Sequence, residues 1–93
     1  MKLKLELGGG IESLFSNSTS LLIEGDMPTI KELFALIRAN YLKDKSNALF
    51  ADSTLKPGIL VLINETDWEI TGEASSPLHD GDTVTLYSTL HGG

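Results

Sequence analysis

The residues with the clearest chemical use are the last six, Ser88, Thr89, Leu90, His91, Gly92 and Gly93, because two closing glycines leave a slim carboxylate with nothing branched behind it. An enzyme that activates a protein carboxylate draws it through a narrow channel to the α-phosphate of ATP. A Cβ on either of the last two residues would meet the channel wall, so glycine is the residue type that passes. Adenylation turns the Gly93 carboxylate into a mixed anhydride, whose acyl carbon a cysteine thiolate or persulfide can attack. The product is a thioester or a thiocarboxylate. Glycine is about 7% of average usage, so two closing glycines arise by chance in roughly 0.5% of chains. That is uncommon without being decisive, and a frayed end with no chemistry stays open as the other reading.

Other constellations are weaker. His79 and His91 are too few and too separate in character, one in a turn and one near the end, to read as metal ligands; both read as solvated. The run Gly8 to Gly10 lacks the following Gly-Lys-Ser/Thr of a phosphate loop and reads as a permissive turn. Asp67, Glu69, Asp80 and Asp82 read as a solvated acidic rim, with no residue assigned to acid–base catalysis. Trp68, in a polar stretch after a strand, is expected to be partly buried against the sheet edge rather than to serve as a binding anchor. The two Asn-X-Thr triplets, at Asn17 and Asn64, read as turns.

Cysteine is absent, which excludes disulfides, thiolate metal sites and a cysteine nucleophile within the chain. Any sulfur it handles must come from a partner. Thirteen acids against seven bases give a net charge of −6, which argues against direct binding to nucleic acid and points to partners with basic faces. The longest aliphatic run, Ile59 to Ile63, is five residues, against about 20 for a membrane span. The opening Met1, Lys2, Leu3, Lys4 lacks an apolar leader, so the expected location is the cytoplasm, with no membrane association. Ninety-three residues correspond to one domain, expected to be a monomer.

The elements that must position the last residues follow from hydrophobic period. Leu3, Leu5 and Leu7 alternate with Lys2, Lys4 and Glu6, a half-buried strand ended by the triple glycine. Ser20 to Glu24 is a second strand, joined to the first through a loop anchored by Leu14 and Phe15. Thr29 followed by Glu32 forms a capping box, and Ile30, Leu33, Phe34, Ile37 and Tyr41 make the apolar stripe of a helix, with Lys31, Arg38 and Asn40 facing water. Phe50 is the expected anchor of the polar stretch after the helix, and Pro57 and Gly58 introduce the strand Ile59 to Ile63. Asp80, Gly81 and Asp82 turn into the last strand, Thr83 to Tyr87.

Strand, strand, helix, strand, strand is the order of a β-grasp: an α+β fold whose mixed sheet carries one main helix on one face, with the first and last strands parallel at its centre. The expected division is a β-grasp domain over 1–87 and a flexible tail over 88–93, whose six residues reach on the order of 20 Å when extended. Strand parity sends Ile59, Val61 and Ile63 to the helix and leaves Leu60 and Leu62 on the open sheet face, where Tyr87 joins them as a candidate docking patch unless loops cover them. Asp80 and Asp82, the acids nearest in sequence to the exit strand, are candidates for steering a partner toward the tail or for shaping the turn alone.

Three separated blocks carry a more specific likeness: Gly8 to Phe15, Pro57 to Glu69, and Ser88 to Gly93. Together they resemble the eukaryotic ubiquitin-related modifier family, ubiquitin-like sulfur carriers of tRNA thiolation, across nearly the whole chain. The resemblance implies a carrier and not an enzyme. It implies that Gly93 is adenylated by a ubiquitin-type activating enzyme carrying a rhodanese domain, using ATP and persulfide sulfur, with no cofactor bound to the carrier. Thr89, Leu90, His91 and Gly92 would thread into that enzyme. The thiocarboxylate would supply a tRNA thiolation enzyme acting at the 2-position of the wobble uridine, and the same terminus would form isopeptide bonds with target-protein lysines. Lys56 stands where the family often has Arg, and the segments Gly25 to Thr29 and Ala74 to Pro77 depart from its pattern. A carrier for molybdopterin or thiazole synthesis, and a ubiquitin-like interaction domain that is never conjugated, remain as alternatives.

Overall fold

The structure, a computed structural model, describes residues 1–41, 49–51 and 54–89. β1 (Lys2–Gly8) follows its sequence alternation, with Leu3, Leu5 and Leu7 buried and Lys2 and Lys4 exposed. It pairs antiparallel with β2 (Ser20–Glu24), from Lys2 opposite Glu24 to Glu6 opposite Ser20. The connection is a 3-10 helix, Ile11–Phe15, that buries Ile11 together with Phe15 and leaves Leu14 half-buried. Phe15 is the anchor expected, Leu14 packs against the core only partly buried, and Ile11 joins Phe15 as a second buried anchor because the tight helix turns it inward.

α1 (Ile30–Asn40) buries Ile30, Leu33, Phe34 and Ile37, the expected stripe, and is closed by Tyr41, whose amide donates to the Ile37 carbonyl. Its capping box takes a different form from the expected one. The Thr29 hydroxyl donates to the Glu32 carboxylate, 2.8 Å from either oxygen, and caps no backbone amide. A neighbouring loop caps one amide instead, the Ile30 amide donating to the Ser76 carbonyl at 3.1 Å; in the other direction the loop's Leu78 amide donates to the Pro28 carbonyl at 3.0 Å. Thr29 and Pro77 form an antiparallel bridge. The segments Gly25 to Thr29 and Ala74 to Pro77 therefore pair with each other.

β3 (Phe50–Ala51) and β4 (Thr54–Leu55) make a two-stranded hairpin apart from the main sheet. Phe50 is buried as an anchor, with its ring 5.3 Å from that of Phe34 in an edge-on arrangement. The Arg38 guanidinium lies 5.4 Å from the Phe50 ring centroid, so its exposed face still holds a cation–π contact. β5 (Ile59–Ile63) turns tightly through Asn64 and Glu65, both at positive φ, into β6 (Thr66–Asp67) and the short helix α2 (Trp68–Thr71). A 3-10 turn, Glu73–Ser75, leads on toward β7 (Thr83–Ser88).

The main sheet runs β2-β1-β7-β5-β6. β1 and β7 are parallel at its centre, β5 is antiparallel to β7, and α1 supplies the helical side of the core opposite Leu3, Leu5, Val61, Val84 and Leu86. This is the β-grasp arrangement read from the sequence. β6, α2 and the β3–β4 hairpin add to it, and none is long enough to show a hydrophobic period.

Candidate functional site at the exit of the last strand

β7 leaves the sheet flanked on both sides, by the end of β1 and by the start of β5. It runs to Ser88, one residue beyond the expected Tyr87, and Ser88 stands opposite Ile59. Thr89 extends this pairing. Its amide and its hydroxyl both donate to the Gly58 carbonyl, each at 2.8 Å, which uses both lone pairs of that oxygen. Leu90, His91, Gly92 and Gly93 lie outside the described residues.

Glycines line the other flank. Tyr87 stands opposite Gly8 in the parallel ladder, and a Cβ on Gly8 would sit 2.7 Å from Tyr87 Cδ2 and 2.9 Å from Cε2. Gly9, at φ 71°, brings its backbone against Ser88: a Cβ there would lie 2.8 Å from the Ser88 nitrogen and clash with the Ser88 carbonyl oxygen. A side chain at position 9 would need both a left-handed backbone and an empty space that Ser88 fills. Gly8 and Gly9 are therefore a packing surface for the exit strand, whereas a Cβ on Gly10 would meet open space. Parallel pairing of the first and last strands, legible in the sequence, places Gly8 opposite Tyr87 and was the signal that could have found it.

The open face beside the exit is apolar. Tyr87 is 45% exposed and its cross-strand partner Leu60 36% exposed, while Val61 and Ile63 are buried on the helix side. Leu62 shares the open face one row away, opposite Thr85 and Asp67, and is half-buried. The structure thus gathers the three candidate docking residues: Leu60 and Tyr87 as cross-strand neighbours, and Leu62 two residues along β5 from Leu60 and diagonal to Tyr87.

The acidic residues are not where a steering role would need them. β7 has six residues, so at about 3.3 Å per residue Asp80 and Asp82 stand roughly 20 Å from Thr89, at the far end of the strand. Both bind backbone. Asp80 Oδ1 accepts from the Lys2 amide at 2.6 Å; Asp82 accepts from the His79 amide at 2.8 Å and from Asn64 Nδ2 at 3.0 Å. Asn64 Oδ1 in turn accepts from the Thr83 amide at 2.9 Å, which ties the β5–β6 turn to the start of β7. Nearness in sequence misled because a strand separates its ends. Asp67 also departs from the solvated reading, since it caps α2 by accepting from the Glu69 amide at 2.9 Å. Glu69 is exposed, as expected.

Trp68 is half-buried, as expected, and the ring contact it makes at 5.8 Å is with Phe34 on α1, a helix residue where the sheet edge was the expected partner. His79 is exposed, with Nδ1 3.8 Å from Asp82. No group of three or more metal-ligating side chains occurs among the described residues. Asn17 and Asn64 have φ of 60° and 50°, which fits their reading as turns. Among the described residues, no helix is long and apolar enough to cross a membrane.

The family model described as Urm1 (ubiquitin related modifier) matches residues 2–93. The chain belongs to that family. It is 45% identical over its full length to a ubiquitin-related modifier 1 homolog of Dictyostelium discoideum, the whole of which is covered, and 43% identical to one of Chlamydomonas reinhardtii, with 99% covered. The solution structure of Urm1 from Trypanosoma brucei superposes with a TM-score of 0.82 at 42% identity, covering 99% of this chain and 95% of that one. The crystal structure of SAMP1 from Haloferax volcanii shares the fold, with a TM-score of 0.79 at 17% identity over the full length of both.

Proposed function

We propose that this chain is a sulfur carrier and protein modifier, acted on by other enzymes, whose reactive group is the Gly93 carboxylate. Three facts support the reading: membership of the ubiquitin related modifier family, the closing Gly92-Gly93, and a central strand that leads out of the sheet beside an apolar face. The observation that carries it is the exit geometry: the last strand leads out to Thr89, braced on the Gly58 carbonyl, with the exposed Tyr87 and Leu60 close by on the open face of the sheet.

The chemistry begins with attack of the Gly93 carboxylate on the α-phosphate of ATP, which releases pyrophosphate and leaves an acyl adenylate. A persulfide on a ubiquitin-type activating enzyme attacks the acyl carbon and displaces AMP. A second thiol of the enzyme then cleaves the sulfur–sulfur bond, leaving a thiocarboxylate on the carrier and a disulfide on the enzyme. Every sulfur and every thiol comes from the partner, since the chain has no cysteine. The thiocarboxylate supplies sulfur for 2-thiolation of a tRNA wobble uridine, and attack by a lysine amine in place of sulfur yields an isopeptide. Leu60 and Tyr87 are the proposed docking contacts for the activating enzyme, and the cytoplasm the proposed location.

Incubation with the activating enzyme, ATP and a sulfur donor, followed by intact-mass spectrometry, tests this. The expected product carries one sulfur in place of one oxygen on the terminal residue. An unchanged mass beside an enzyme active on its own carrier overturns it and leaves a non-conjugated interaction domain. Thiocarboxylate formation with transfer only to a molybdopterin or thiazole acceptor would overturn the tRNA assignment alone.

A further inference from the structure

Resting on the reading above, we infer that Thr89 is a positioning residue, which holds the start and direction of the terminal segment through its paired hydrogen bonds to the Gly58 carbonyl. In sequence terms Thr89 belongs to the threading tail. In the fold it belongs to the sheet, as one further rung between β7 and the turn before β5. Ser88, one residue earlier, is confined from the opposite side by Gly9. The strand end is therefore gripped between Gly8 and Gly9 on one side and the Pro57–Gly58 turn on the other.

The grip has a quantitative consequence for the partner. With Ser88 and Thr89 held, the length available for insertion is residues 90–93, which span at most about 14 Å, where six residues would reach about 20 Å. The partner's adenylation site must therefore lie within about 14 Å of the surface that meets Thr89. A held base also lessens the chain entropy lost on threading, so that loss of the grip should weaken productive binding and leave the chemical step alone. The hydroxyl is the part of the grip that a neutral substitution can remove. Thr89→Val keeps the branched shape and the backbone amide and lacks only the oxygen.

ATP–pyrophosphate exchange by the activating enzyme, with the carrier as varied substrate, tests the role. Thr89→Val is expected to raise KM for the carrier about threefold to tenfold, the range for one neutral hydrogen bond, with kcat unchanged. Thr89→Ser, which keeps the hydroxyl, should return KM to within about twofold of the parent. A merely structural role would lower the melting temperature and leave KM in place. Backbone ¹⁵N relaxation gives an independent readout: the position 89 amide should be as ordered as the strand in the parent and in Thr89→Ser, and less ordered in Thr89→Val. Equal KM for parent and Thr89→Val overturns the inference. If the parent itself supports no exchange, the reading of the chain as a carrier falls, and equal order at position 89 in parent and Thr89→Val then overturns the grip as well.

Discussion

Tyr87 lies so close over Gly8 that the smallest side chain at position 8 would come within 2.7 Å of its ring. The pair faces the open side of the sheet, next to Leu60. Replacement Gly8→Ala removes the conformational freedom that makes glycine unfavourable in a strand, worth about 0.5–1 kcal/mol, and that gain offsets much of the steric cost because an exposed ring can swing. The expected result is a melting temperature near that of the parent, a shifted Tyr87 ring resonance and weaker docking of the activating enzyme. An unmoved ring would show that the strand backbone yields instead.

Leu60 is more exposed than Leu62 and separates docking from folding more cleanly. Leu60→Ser should raise the dissociation constant for the activating enzyme about tenfold, or about 1.4 kcal/mol, with little change in thermal stability. Leu62→Ser should lower stability as well, since that side chain is half-buried. Calorimetric titration and thermal unfolding together check both. Undiminished binding by Leu60→Ser would move the docking surface elsewhere.

Asp82 should matter to the fold and not to the encounter. Its carboxylate bonds the His79 amide and the Asn64 side chain, and Asp82→Ala leaves both donors without their partner. A loss of about 1–3 kcal/mol in urea unfolding is expected. Stopped-flow association with the activating enzyme should keep the parent's rate and salt dependence, because the residue stands at the end of β7 opposite the exit. A flattened salt slope would restore the steering role.

Deletion of Gly93 should abolish pyrophosphate exchange and leave the unfolding curve of the parent unchanged, since the described core and sheet end before residue 90. Full exchange by the truncated chain would locate the reactive group elsewhere.

What could be read from the sequence follows the length over which a pattern repeats. Leu3, Leu5 and Leu7, and the stripe from Ile30 to Ile37, repeat often enough to fix β1 and α1 and the faces they bury. Parity alone placed Leu60 and Tyr87 on the same face. β6 and the β3–β4 hairpin have two residues per strand and no period to detect. Asp82 read as solvated because one of its partners, Asn64, lies 18 residues away and meets it only when β5 and β7 pair. Thr89 read as tail for a similar reason: its partner Gly58 is 31 residues distant, and a hydroxyl gives no sign of which carbonyl it will find.

The central place of β7 also decides how the molecule bears load. A pull applied beyond Thr89 acts along a strand bonded on one side to β1 and on the other to β5. Such tension loads both ladders in shear, so their hydrogen bonds resist together, whereas an edge strand peeled from its end gives way one bond at a time. Anything fastened past this strand would be held by two ladders at once and not by the single ladder of an edge.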